Sequence, residues 1–131
     1  MPQIEIRIQT EPIDVAAEYA AVSAPENGGR VVFAGCVRPE EKGTIIDHLD
    51  YEHYEGMAQK ELWKLAEEAC RRWGLNALRV VHRIGRIPVG KESIVIVAAS
   101  GHRAEAFEGA RFMIDELKKS VPIWKSATGK S

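Results

Sequence analysis

The stretch from Ser100 to Lys125, SGHRAEAFEGARFMIDELKKSVPIWK, sets the frame of the chain, because it holds a helix start, a helix stop and most of the candidate chemistry. Ser100 is placed to cap the helix that follows, since its hydroxyl can accept from an orphan backbone N–H, and Glu105 falls in the first turn, where the helix dipole favours an anion. Phe107, Ala110, Ile114, Leu117 and Val121 recur at spacings of three and four and predict one buried helical face. Pro122 cannot continue the hydrogen-bond ladder and drives Val121 out of the helical region, so the helix ends near Lys119 or Ser120. Lys118 and Lys119 then occupy the last turn, ahead of a short bent link carrying Ile123, Trp124 and Lys125. A lysine pair at that place ordinarily complements the dipole.

Outward from this stretch, the chain predicts an α+β fold. Ser93 to Ala99 is a near-continuous apolar strand that feeds into Ser100, and Leu78 to Ile84 is the strand before it, with Pro88-Val89-Gly90 as the turn between. Met57 to Trp73 has helical periodicity through Ala58, Leu62, Leu65, Ala69 and Trp73, and Gly74 is its C-terminal cap. Val31 to Val37 has too little polar alternation to be half exposed and is placed centrally in the sheet. Pro39 to Gly43 reads as a charged loop, and Ile45 to Tyr54 as a strand with Ile45, Leu49, Tyr51 and His53 alternating. At the N-terminus Ile4, Ile6 and Ile8 mark a strand, and Pro12 and Asp14 open a short helix that packs through Ala17, Ala20 and Ala21. The expected architecture is one domain spanning 1–131, a mixed or antiparallel sheet with helices packed mainly on one face.

With 18 Lys and Arg against 19 Asp and Glu, a net charge of −1 carries no polyanion-binding signature, which argues against a nucleic-acid partner. Cys36 and Cys70 lie far apart with no histidine at ligand spacing, so neither a metal site nor a disulfide framework is expected, and a reducing, cytoplasmic setting fits. No apolar run approaches the ~18 residues of a membrane span.

Four places are suited to chemistry. Arg38 ends a strand, where a rigid backbone can aim a long cation into a cleft; a surface arginine is the plainer reading. His102 and Arg103 stand at a helix start, where backbone N–H groups and the Arg fork can meet an anion such as a phosphate. Lys118 and Lys125 serve as nucleophile or base only once partly deprotonated; neighbouring cations favour that and the helix C-terminus opposes it. Cys36, a small residue in a strand taken as central, is expected to be buried and inert. His82 and Arg83, inside a strand, are expected to serve packing or an ion pair.

The pattern HR-x-x-AF at 102–107, D-x-LK at 115–118 and P-x-WK at 122–125, preceded by HRIG at 82–85, GCVRP at 35–39 and YEHYEGMA at 51–58, resembles the large, catalytic subunit of molybdopterin synthase. The resemblance implies a sulfurtransferase of molybdenum cofactor biosynthesis that needs no metal or cofactor of its own. Sulfur would arrive as a thiocarboxylate on the C-terminal Gly-Gly tail of a small ubiquitin-like partner, and two transfers would convert cyclic pyranopterin monophosphate into the molybdopterin dithiolene. It implies a substrate pocket at Cys36, Val37, Arg38, His102, Arg103, Lys118, Lys125, Ser126 and Ala127, with Lys118 and Lys125 catalytic. It further implies a homodimer of large subunits within a heterotetramer, to which Trp63, Trp73 and Trp124 would add apolar surface. The family pattern continues after P-x-WK with a base, an acid and a longer tail; here Ser126 to Ser131 stand instead, with nothing larger than Ala127 to bury, and are expected to form a mobile tail. The residues alone leave two other readings open, a noncatalytic phosphate-metabolite-binding module and an inactive paralogue that still binds the small subunit.

Overall fold

Every side chain from Ser93 to Ser100 is buried, and that run becomes the strand with cover on both faces. The computed structural model describes residues 1–129. Its main sheet has the order β1-β6-β8-β2, formed by β1 (Gln3–Gln9), β6 (Ala77–Arg83), β8 (Glu92–Ser100) and β2 (Gly29–Cys36). β1 runs parallel to β6, and the other two pairings are antiparallel. Side chains alternate across β8: Ile94, Ile96 and Ala98 face the larger core, while Val95, Val97 and Ala99 face a smaller one.

The larger core is closed by α2 (Met57–Trp73) and α3 (Arg103–Ser120), whose Leu62, Ala66, Ala69, Ala110, Met113 and Leu117 meet Leu78, Val80 and Ile96 of the sheet. α2 stops where the sequence predicts, at Gly74, whose left-handed conformation (φ 61°) a residue without Cβ adopts at no steric cost. The smaller core lies under α1 (Val15–Ala20), so the helices sit mainly on one face. Ala17, Ala20 and Ala21 are exposed rather than packed; Ile13, Glu18 and Val22 are the buried residues. The Glu18 carboxylate sits between Arg7 of β1 and Arg79 of β6, accepting from Arg79 Nη2 at 3.0 Å, so an ion-pair clamp orients this six-residue helix where alanine methyls bury too little area.

A three-stranded sheet of order β7-β5-β9 follows, from β7 (Gly85–Pro88), β5 (His48–His53) and β9 (Ile123–Gly129), all antiparallel. Val37, Ile46, Leu49 and Ile87 form its core. A hairpin, β3 (Glu40–Glu41) and β4 (Thr44–Ile45), pairs only with itself among the described residues. The expected strand from Ile45 to Tyr54 is thus two, broken after Ile45, which is 63% exposed.

Four further expectations change. β2 is an edge strand, with Val32 and Phe33 each 37% exposed, because among the described residues only β8 pairs with it. Ser100 does not cap α3: its hydroxyl donates to the His102 carbonyl, and His102 takes the N-cap position without a side-chain bond. Phe107 is 58% exposed, since Ala106, Gly109, Ala110, Met113 and Leu117 form the buried stripe and leave it one step outside. The expected tail is ordered through Gly129 in β9, paired to β5 by backbone bonds that require no apolar side chain; Lys130 and Ser131 lie outside the described residues.

Gly29 fixes how α3 starts against β2, because a Cβ there would stand 2.8 Å from both the Arg103 Cα and N. Gly29→Ala is therefore expected to cost about 2 kcal/mol by forcing the helix start away from the strand. Urea denaturation measures it, and a change under about 0.5 kcal/mol would show that the start of α3 yields freely.

Candidate active site

The end of β2 at Cys36, the last turn of α3 and the start of β9 surround a cavity of about 630 Å³. Phe33, Leu49, Ile94 and Ile114 supply apolar wall, and Arg38, Lys118 and Lys125 supply three cations. β2 places Cys36-Val37-Arg38 here because the ladder with β8 shifts register between Gly35 and Cys36, freeing the chain to turn into the β3–β4 hairpin. Pro122 ends α3 and turns the chain so that Trp124 and Lys125 line the same space as Lys118.

Among the described residues one carboxylate lines this cavity. Lys125 Nζ donates to Glu41 Oε2 at 2.9 Å. Glu41 arrives on the hairpin, whose tight turn sets Lys42 (φ 50°) and Gly43 (φ 82°) in the left-handed region. The hydrogen bond from Lys125, with the charges of Lys125, Arg38 and Lys42 behind it, holds the Glu41 carboxyl below the usual carboxylate range. Three cations against one carboxylate leave the cavity positive, suited to an anionic ligand.

His82 lines the same space but is only 5% exposed. Its ring meets Tyr51 edge to face with centroids 5.4 Å apart, and its Nδ1–H donates to the Arg83 carbonyl at 2.8 Å. Burial pushes its pKa down to about 4, against the opposing pull of the Arg83 carbonyl, and His53 nearby adds to the depression. The imidazole is neutral at physiological pH.

Of the residues singled out in the sequence, Cys36, Val37, Arg38, Lys118 and Lys125 line this cavity. Cys36 is exposed rather than buried, a consequence of β2 being an edge. Cys70 is the buried thiol, pushed up to about 11 by burial. His102 and Arg103 are elsewhere: Gly29, which packs on them, begins β2 while Cys36 ends it, a separation of roughly 23 Å at about 3.3 Å per residue. Ser126 and Ala127 continue β9 past the cavity, with the Ser126 hydroxyl donating to the Asp50 carbonyl at 3.2 Å. Sequence reading misses Glu41 and His82 as cavity residues, the first because its loop shows only charge, the second because a strand histidine gives no sign of which face it takes. A larger cavity, about 990 Å³, lies along the C-terminal part of α2 beside Trp63 and Cys70, where Arg71 is offset by Glu26 and Glu67 and no group of cations forms among the described residues.

Comparison with known proteins adds an independent line. The family model described as MoaE protein matches residues 8–120. The molybdopterin synthase catalytic subunit of Mesorhizobium japonicum is 44% identical over 122 residues, covering 92% of this chain and 76% of that protein. The protein of that name from Pyrococcus abyssi is 40% identical over 115 residues, 88% of this chain and 78% of its own length. Among solved structures, molybdopterin synthase from Staphylococcus aureus superposes with a TM-score of 0.86 at 32% identity, covering 98% of this chain and 96% of that one. The complex of subunits 1 and 2 of molybdopterin-converting factor from Helicobacter pylori gives 0.75 at 26% identity, over 93% and 82% of the two chains.

The buried imidazole carries a pH signature. Folding holds the His82 pKa near 4, whereas unfolding returns it to about 6.5, so its contribution is fully present above 6.5 and is lost as the pH falls toward 4. Between about pH 7.5 and about pH 4.5 the loss from this group is expected to be on the order of 2–3 kcal/mol. Urea midpoints at both pH values, for the wild type and for His82→Asn, isolate it, and equal losses in the two proteins would assign the acid sensitivity elsewhere.

Proposed function

The chain belongs to the MoaE protein family, and from that premise we propose that the cavity at the end of β2 is where it acts, as the catalytic subunit of a molybdopterin synthase, in sulfur transfer. The observation that carries this reading is the convergence of Arg38, Lys118 and Lys125 on one apolar-walled cavity. The donor would be a thiocarboxylate at the C-terminal Gly-Gly of a small ubiquitin-like subunit, and the acceptor cyclic pyranopterin monophosphate. Both are anions, and a site holding three cations draws each in and offsets the charge that develops as sulfur moves. A partner that delivers the sulfur leaves no role for a cysteine of this chain, consistent with Cys70 being a buried, inert thiol and Cys36 having no base in hydrogen-bond contact among the described residues. In this reading Lys118, exposed on the last turn of α3, acts in the chemical step, and Lys125, tied to Glu41, stabilises charge.

His102 and Arg103 enter the proposal through a second copy. They lie too far along β2 to reach their own Cys36, so a site using both ends of the strand takes them from a neighbouring chain. The unpaired edge of β2, with Val32, Phe33 and the exposed Phe107, supplies apolar surface and open backbone groups for such a homodimer, with a small subunit on each copy making a heterotetramer. Ser126 and Ala127, exposed on β9, would form the rim toward the partner. We read residues 1–131 as one domain and place its reaction in the cytoplasm; among the described residues no helix is long and apolar enough to cross a membrane.

Lys118→Ala is expected to abolish dithiolene formation with a thiocarboxylated small subunit while shifting stability by under about 1 kcal/mol. Lys125→Ala should leave a measurable remainder. Turnover alongside a thermal melt measures both; substantial activity in Lys118→Ala would take Lys118 out of the chemical step, and a wild type inactive with a competent donor would favour the noncatalytic phosphate-binding reading. At a substrate concentration where Lys118→Ala and Arg103→Ala are each inactive alone, mixing them should restore up to about a quarter of wild-type activity, because half of random dimers are mixed and each of those holds one intact pocket. No recovery would confine each pocket to a single chain.

A further inference from the structure

His82 has one ring nitrogen committed and one free. Nδ1–H is held by the Arg83 carbonyl at 2.8 Å, which makes Nε2 the acceptor nitrogen of the neutral ring. Among the described residues nothing bonds to Nε2, and the one side-chain nitrogen or oxygen sealed from solvent without a hydrogen bond is Arg7 Nε, which is ion-paired with Glu5. Nε2 is therefore not sealed from solvent, and the cavity lined by His82 is the open space beside this ring. The ring cannot turn away, because the Arg83 bond fixes one side and the Tyr51 ring meets it edge to face.

The geometry points to His82 as a substrate-contacting, specificity-determining residue, whose Nε2 accepts a hydrogen bond from a ring N–H of the heterocyclic substrate. The inference rests on the synthase reading above and says how the substrate lies. Arg38, Lys118 and Lys125 are suited to its phosphate, whereas His82, deeper and beside Leu49 and Ile94, offers an acceptor in apolar surroundings. A pyranopterin has that polarity, an anionic phosphate at one end and, at the other, a flat pyrimidinone whose amide N–H is a donor. A buried acceptor left empty by a ligand lacking the donor is penalised, so a single nitrogen can discriminate between ring systems of the same size.

The test is equilibrium binding of a free pterin to the intact chain by titration calorimetry, against the same pterin methylated on the pyrimidinone amide nitrogen. The wild type is expected to bind the methylated compound about fivefold more weakly or worse. His82→Asn should bind the parent pterin about fivefold more weakly and lose the discrimination. Its amide can still donate to the Arg83 carbonyl, so a melt close to wild type verifies that only the acceptor is gone. His82→Gln, which carries a polar atom out to the Nε2 position, should recover part of the affinity. Equal binding of the two pterins by the wild type, including no measurable binding of either, overturns the inference without recourse to any variant. So does discrimination that survives in His82→Asn. In turnover, His82→Asn should raise KM for the cyclic phosphate and leave KM for the small subunit unchanged; a rise in the latter alone would assign Nε2 to the incoming tail and overturn the inference. Since binding is read without turnover, loss of sulfur transfer in the wild type would sink the synthase reading alone. Turnover with unchanged pterin affinity in His82→Asn would sink this inference alone.

Discussion

Burial of β8 on both faces is the constraint on which the rest depends. A strand with Val95, Val97 and Ala99 on one side and Ile94, Ile96 and Ala98 on the other needs cover above and below, and neither α1 nor the α2–α3 pair supplies both. The alternation carries into its neighbours. Leu78 and Val80 of β6 follow the α2–α3 side with Ile4, Ile6 and Ile8 of β1, while Arg7 and Arg79 point to the α1 side, where they clamp Glu18. A one-residue slip in any of these pairings would carry charge into one core and bring apolar groups out of the other.

The cavity lies where the two sheets part. β6 runs through Ile84 straight into β7, so one continuous stretch of chain serves the main sheet and then the three-stranded one, and His82 sits just before that passage. α3 closes one side of the gap and β9 another, joined by the turn at Pro122. Rigid elements therefore hold Lys118, Lys125 and His82, while the hairpin bearing Glu41 pairs, among the described residues, with nothing but itself. Two of the three cations, Lys118 and Lys125, are held by a helix and a strand, while Arg38 stands between β2 and the hairpin that carries Glu41.

Much of this was legible in the sequence, for reasons that also mark where legibility ended. α2 shows both periodicity and a glycine stop, and its bounds follow; β8 shows unbroken apolarity, and its central place follows. β2 shows the same apolarity yet is an edge, because an apolar run records that a strand is covered or waits for a neighbour, not which neighbour covers it. Phe107 fits the predicted stripe by spacing alone, but Gly109 and Met113 turn the stripe past it. Of the site, Arg38, Lys118 and Lys125 could be marked as single residues with chemistry, whereas their meeting in one cavity, and the addition of His82 and Glu41, depends on tertiary placement that no local pattern encodes.

β9 is secured to β5 from Ile123 to Gly129 through main-chain bonds, and Trp124 to Thr128 all stand in solvent. Attachment of that strand is thus indifferent to most of its side chains. Substitutions at 126–128 that keep the extended backbone would therefore leave the three-stranded sheet intact, and with it the place that β9 gives Lys125 in the cavity.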